Sequence, residues 1–241
     1  MSVTQHRKDR ERAQREEMIL DHAGRLLLRD GFQNLNLDEL AKAIEYSKGT
    51  IYLHFKTKED LVLAIATRVA RERADLFERA SAFSGKTRER MRAIGFASCH
   101  FAVIHPDYFN LEMLLKSPSF WEKASMERQR TFGLQAAKLF HCVNSIAQQA
   151  VIQQDLPPDT RSQDVTLSLI ATTIGTHIMI MQPEIQVLCA IDEPIAAVRR
   201  NQDILCDGWN WKPLAKDWNY RATDRRIKNE VFPEAKWFKP G

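Results

Sequence analysis

Residues 31–61 read GFQNLNLDELAKAIEYSKGTIYLHFKTKEDL, and three helix starts are written into this stretch. Asn36 followed by Glu39 is a capping-box pattern, in which two side chains satisfy amides that a helix end leaves open. Leu37, Leu40, Ala41 and Ile44 then recur at helical spacing for only about two turns. After Glu45-Tyr46, Ser47 caps a second short helix running to Phe55. Thr57 with Asp60 opens a long amphipathic helix through Leu61, Ile65, Val69, Ala74 and Phe77. Upstream, Ile19, Ala23, Leu26 and Leu27 mark a helix over Arg10–Arg29 that stops at Asp30-Gly31, where glycine can take the left-handed conformation. Four helix starts this close together, two of them on very short helices, make a helix-turn-helix inside a small three-helix bundle.

Wound at 100° per residue, the segment Ser47–Phe55 puts Ile51 and Phe55 on one face and Gly49 and Leu53 on the other. Lys48 and Tyr52 flank the second face on one side, Thr50 and His54 on the other. Such a face suits a major groove about 12 Å wide. Gly49 lets the backbone come close, and Leu53 can meet a thymine methyl. Thr50 and Lys48 can reach base edges or phosphates, and Tyr52 and His54 can reach phosphates. Lys58, in the first turn of the next helix, can meet a phosphate with help from that helix's dipole. A plain amphipathic helix with a solvated face has the same periodicity.

The rest of the chain narrows the classes. Its 241 residues can bury a substantial core. With 44% hydrophobic and 27% charged residues, and only 9 Gly and 9 Pro, it reads as globular and helical rather than disordered or Gly-rich β. Neighbouring glycines are never closer than 7 positions, so no G-x-G-x-x-G or Walker cradle can be written. There is no G-x-S-x-G and no H-E-x-x-H, and His100 and His105 lie about 140° apart on a helix. No metal, cofactor or catalytic role is expected. The N-terminus is charged where a signal peptide is apolar, and the greasiest window, 168–181, is broken by Thr172, Thr173, Thr176 and His177. The expectation is a cytoplasmic protein with no membrane partner. Cys99, Cys142, Cys189 and Cys206 form no C-x-x-C pair and read as buried free thiols. Residues 1–60 hold 11 Lys+Arg against 11 Asp+Glu, residues 61–207 hold 16 against 16, and residues 208–241 hold 8 against 4. Any DNA binding at the N-terminus therefore depends on placing bases on one face.

Taken whole, the quoted string resembles the DNA-binding module of the TetR family of bacterial transcriptional regulators. It has the GF, the D-[ED]-[IL]-A and the S-K-G-T-[IL]-Y-x-H-F-x-[ST]-K-E-x-L over about 45 residues, Met18–Leu63. The resemblance implies an all-α chain in which Lys48, Gly49, Thr50, Tyr52, Leu53, His54 and Lys58 contact a double-stranded DNA operator. Where relatives usually have glycine in the turn, this chain has Glu45, at a cost on the order of 1 kcal/mol if the position is left-handed. Arg7, Lys8, Arg10, Arg12 and Arg15 face only Asp9 and Glu11 ahead of the first helix. In the family such a flexible arm often lies along phosphates or in the minor groove, which assigns Arg10 and Arg12 to DNA; a solvated tail is the alternative.

Beyond Gly85, turn signals separate helices near 87–104, 107–115, 119–154, 161–181 and 193–207. The expected division is a DNA-binding domain at 1–60 with its basic arm, a helical ligand-binding and dimerisation domain at 61–207, and a Trp-rich basic tail at 208–241. The resemblance implies a homodimer through the last two helices of the second domain, where Leu167, Ile170, Ile174 and Ile178 make an apolar stripe suited to a four-helix seam or to an internal core. It also implies a largely apolar small-molecule effector, with Phe96, His100, Tyr108, Met113, Trp121, Phe132, Gln135, Phe140 and His177 as candidate contacts or core residues. In the tail, Trp209, Trp211, Trp218 and Trp237 interleave with basic residues. They either wrap over the protein or stack on single-stranded nucleic acid. The function expected is a ligand-responsive repressor. The alternatives are an activator or ligand-independent regulator, and a protein-docking or enzymatic module with a vestigial DNA-binding domain.

Overall fold

The structure, a computed structural model, describes residues 3–107, 111, 114, 115 and 117–238. Its regular elements among the described residues are all helical, as expected: α1 (Val3–Asn34), α2 (Leu37–Ala43), α3 (Lys48–His54), α4 (Lys58–Ser81), α5 (Thr87–Ile104), α6 (Pro118–Lys123), α7 (Met126–Ile152), α8 (Ser162–Ile180), α9 (Pro183–Leu188), α10 (Pro194–Gly208) and α11 (Tyr220–Glu230), with a 3-10 turn at Ala215–Asp217. The helix expected near 107–115 falls largely outside the described residues. The chain divides into two compact units, Met1–Val69 with Leu111–Leu134, and Ala70–Asn110 with Gln135–Gly241. Helices α4 and α7 each run from one unit into the other.

The first unit is built on the caps that the sequence spells. Asn36 accepts from the Asp38 amide at 2.8 Å, Ser47 from the Thr50 amide at 3.1 Å and Thr57 from the Asp60 amide at 3.0 Å. Ile19, Ala23, Leu40, Ile51, Phe55 and Leu61 close the core between these helices. Asp60 does not complete a capping box. Its Oδ1 accepts from the Ser125 amide at 2.6 Å, while Thr57 donates to the Lys123 carbonyl at 3.2 Å. These two bonds hold the break at residues 124–125, so the single helix expected over 119–154 is two, α6 and α7.

Two turns carry unusual backbone. Gly31 sits at φ 76°, ψ 168°, a region that is essentially glycine's alone rather than the left-handed helix, and one more helical turn follows it to Asn34. Glu45 is left-handed at φ 58°. It closes α2 as a Schellman cap, with the Tyr46 amide donating to the Ala41 carbonyl and the Glu45 amide to the Lys42 carbonyl. A side chain is strained there, so Glu45→Gly is expected to stabilise the protein by about 0.5–1 kcal/mol, read as a higher urea midpoint at constant slope. An unchanged or lower midpoint would refute the strain.

In the second unit α8 packs chiefly on α10, and α5 on α10 and α11. The tail wraps its own second unit. Trp211 is wholly buried and donates to Thr87 at 3.0 Å, Trp209 donates to Ser168 at 3.0 Å, and Trp237 donates to His100 Nδ1 at 3.0 Å with its ring tilted against Phe96, 4.9 Å between centres. Those three indoles are spent on the fold, whereas Trp218 is 38% exposed, with the Lys86 amine 5.0 Å over its ring. Of the four free thiols, Cys99 and Cys206 are buried, but Cys142 is half-buried and Cys189 exposed, because α9 lies at the surface with no buried residue.

His177 is buried in α8. Burial first, and the charge of Arg73 second, push its imidazole down to about 4. The unfolded chain takes up a proton near pH 6.5 that the folded chain refuses until about pH 4. Stability is therefore full above the unfolded value and is lost as pH falls between the two. From pH 7 to pH 5 this group is expected to cost the protein about 2 kcal/mol, measured as the difference between parent and His177→Gln in denaturant titrations at both values. An identical loss in that variant would place the proton uptake elsewhere.

Candidate nucleic-acid interface

Seven residues make α3, too few to hold a helix alone, so its orientation is set by what it packs against. Ile51 and the following Phe55 are both fully buried and anchor one face. On the opposite face Leu53 is 79% exposed, Tyr52 is 47% exposed, and Lys48 and Gly49 are exposed beside half-buried Thr50. An exposed leucine needs no explanation singly; beside an exposed tyrosine and a glycine it marks a surface. A Cβ at Gly49 would meet only the Ser47 hydroxyl, at 3.7 Å. Nothing inside the protein asks for glycine there.

The flanking groups depart from expectation in part. Lys48 pairs with Asp38 of α2 at 2.5 Å, and that hydrogen bond and charge raise its pKa. Thr50 shares a 2.8 Å hydrogen bond with Ser47. His54 is withdrawn from the outer face: its side chain is only 5% exposed, with Nδ1 at 3.2 Å from Glu16 of α1. Lys58 also turns inward. Its amine donates to the Phe32 carbonyl at 3.2 Å and lies 4.4 Å over the Phe32 ring, where it opposes the negative carbonyl end of α1 at Asn34. Lys56, which sequence reasoning passed over although it stands inside the quoted motif, is exposed and lines an open polar groove with Gln33, Asn34, Asn36 and Tyr52.

The basic arm is not a flexible strand. It continues α1 from Val3, with every residue from Gln5 to Arg15 exposed. Hydrogen bonds from Gln5 to Asp9 and from Arg7 to Glu11 follow the i to i+4 spacing of a helix surface. Arg10 and Arg12 stand on this helix, both exposed.

In the second unit a cavity of about 60 Å³ lies among Met91, Ile94, Ser98, Leu169, Ile170 and Thr173, walled by Arg88, Arg92, Arg199, Asp203 and Tyr220. None of the aromatic or histidine candidates lines it. Phe96 and His100 are buried against Phe232 and Trp237 of the tail. Trp121 and Phe132 belong to the first unit, where their rings lie 5.8 Å apart. Gln135 and His177 are buried elsewhere and Phe140 is 39% exposed. Tyr108 and Met113 lie outside the described residues. Helical spacing identified apolar faces but not which of them leave a void. Of the seam residues, Leu167 is 64% exposed and Ile174 and Ile178 are half-buried, while Ile170 turns to the cavity. No group of three or more His, Cys, Asp or Glu among the described residues is placed to hold a metal.

Comparison with known proteins bears on the same module. The family described as "Bacterial regulatory proteins, tetR family" matches residues 19–65. An uncharacterized HTH-type transcriptional regulator of Haemophilus influenzae is 42% identical over 53 residues, 22% of this chain and 28% of the other. The chain thus matches only about a quarter of that relative's length. Over about four fifths of the chain the likeness is one of fold. A TetR/AcrR-family regulator from Thermobifida fusca aligns with TM-score 0.58 at 21% identity, covering 81% of this chain and 98% of that one. A regulator from Saccharomonospora viridis solved in complex with choline aligns with TM-score 0.61 at 17% identity, covering 81% and 96%. Residues 19–65 thus carry a helix-turn-helix module similar to that of the tetR family of bacterial regulatory proteins, and the helical fold that follows resembles that of the solved TetR/AcrR-family regulator.

Proposed function

We propose that the protein is a homodimeric transcriptional regulator, a ligand-responsive repressor that sets two copies of α3 into successive major grooves of a near-palindromic operator about one helical turn apart. The observation that carries this reading is the outer face of α3, where Leu53 and Tyr52 stand exposed beside a glycine that nothing in the protein requires. Tyr52 and Lys56 take the backbone, with Arg10 and Arg12 on the helical arm; Lys48 and Thr50 reach base edges or backbone, and Leu53 a thymine methyl. Lys48 would exchange Asp38 for DNA, and Lys58 and His54 serve the fold that presents α3. The action is cytoplasmic, and no described helix is long and apolar enough to cross a membrane.

The dimer reading rests on α8, which leaves Leu167, Ala171, Gly175 and Met179 exposed, one every four residues. Ile204 of α10, the helix against which α8 packs, is 65% exposed. A second copy of the same pair would cover both. The effector reading is supported by the cavity of the second unit and by the choline that the Saccharomonospora viridis protein was solved with. A void of about 60 Å³ is far below the roughly 300 Å³ of a drug-sized site, so binding requires its walls to part. That smallness favours a ligand-independent regulator of the same fold as the second reading.

The test is operator binding by variants. Leu53→Ala and Thr50→Ala are expected to change base preference at one half-site position each, by about 1–3 kcal/mol, while Tyr52→Ala weakens binding to all duplexes. Equal effects on random and operator DNA from all three would overturn the assignment.

A further inference from the structure

The C-terminal end of α3 is held by a residue from outside the helix-turn-helix. Arg128, in the first turn of α7, donates from Nη2 to the carbonyl of His54 at 3.2 Å and pairs through Nη1 with Glu16 of α1 at 2.8 Å. Its guanidinium lies 4.9 Å over the ring of Phe55. Glu16 completes the set with its other oxygen, 3.2 Å from His54 Nδ1. One guanidinium thus bridges α1 to the last turn of α3, where a cation also opposes the negative end of the helix dipole.

A helix this short has no stiffness of its own to spend on orientation. Ile51 and Phe55 fix its depth, but both lie on one line along it, so rotation about that line is restrained at the carbonyl end. Reading base edges requires side chains held to within about half an ångström. We infer that Arg128 is a positioning residue for DNA recognition, fixing the tilt of α3 from α7 through His54 and Glu16; this rests on the reading that α3 enters the groove. The Glu16 carboxylate suits the part: burial works against its charge, yet the hydrogen bond and charge of Arg128 hold its pKa below the usual range.

The roles of positioning residue, phosphate contact and structural brace differ in what they change. In the full-length protein, Arg128→Ala is expected to lower the ratio of operator to random-duplex affinity by roughly tenfold, the size of one charge-assisted hydrogen bond, at an unchanged salt slope. Arg128→Lys, which keeps the charge, recovers part of that ratio, and Glu16→Gln, a near-isosteric change at the other end, lowers it less and in the same sense. An equal loss on both duplexes with a shallower salt slope makes Arg128 a phosphate contact and overturns the inference. A lowered melting temperature with the ratio kept in all three variants makes it a brace and does the same. Should the unaltered protein fail to prefer any duplex, the function proposed above falls instead.

Discussion

Gly49→Leu is expected to abolish operator recognition and to leave the fold standing. In a helix interior glycine costs up to about 1 kcal/mol relative to alanine, so its presence near the start of a seven-residue helix calls for a reason. The usual reasons are missing: Gly49 has no positive φ, and a side chain would meet only Ser47 at an ordinary 3.7 Å. What remains is an approach from outside. On the proposed reading a leucine there would stand between the backbone of α3 and the groove floor, and every contact proposed for Thr50 and Leu53 would be made through that gap. The expected loss is at least a hundredfold in operator affinity, about 2.7 kcal/mol, with a melting temperature equal to or slightly above that of the parent. Affinity kept within threefold would mean that α3 does not approach DNA by this face, and a collapse in stability would mean that the glycine serves the fold.

Arg92→Ala is expected to be the most damaging single change to the second unit, at about 3–5 kcal/mol. Arg92 grips Asp224 of the tail helix with two nitrogens, at 2.6 and 2.9 Å, and Asp203 of α10 with the third, at 2.5 Å. Its guanidinium also lies 4.9 Å from the centre of the Tyr220 ring. Asp224 is 4% exposed, so truncation leaves a buried carboxylate with only the Arg199 pair and an emptied space beside it. Arg88, 2% exposed, repeats the pattern by donating to Asp207 and to the Trp211 and Pro213 carbonyls. Together the two arginines tie the tail to α5. The variant should therefore also expose residues 209–238 to protease before the rest of the chain. A loss below about 1 kcal/mol, with the tail still protected, would show that the aromatic contacts of Trp211 and Phe232 suffice.

What sequence disclosed and what it hid divide along a physical line. Asn36, Ser47 and Thr57 act on amides two or three residues away, so their caps could be read from spacing. Glu45 sits where its neighbours demand a left-handed residue, and the strain was visible as a misplaced letter. The bond from Arg128 to His54 spans 74 residues and that from Arg92 to Asp224 spans 132, and no periodicity announces such a partner. The tail's interleaved basic and aromatic residues suit both a wrap over the protein and a nucleic-acid surface, and spacing alone does not choose between them. The structure spends Arg226 on the Ser84 carbonyl and Glu230, and buries Trp211 wholly. His54 failed for a related reason: its place on the helical wheel was right, and the carboxylate that turns it inward belongs to another helix.

Selection of bound duplexes from a random library asks most directly whether two copies of α3 read DNA as a symmetric pair. Enrichment of an inverted repeat, with half-site centres about 10 base pairs apart or a multiple of that and strongest information in the major groove, is the expected outcome. Recovery of unrelated sequences, or of one asymmetric half-site, would contradict it.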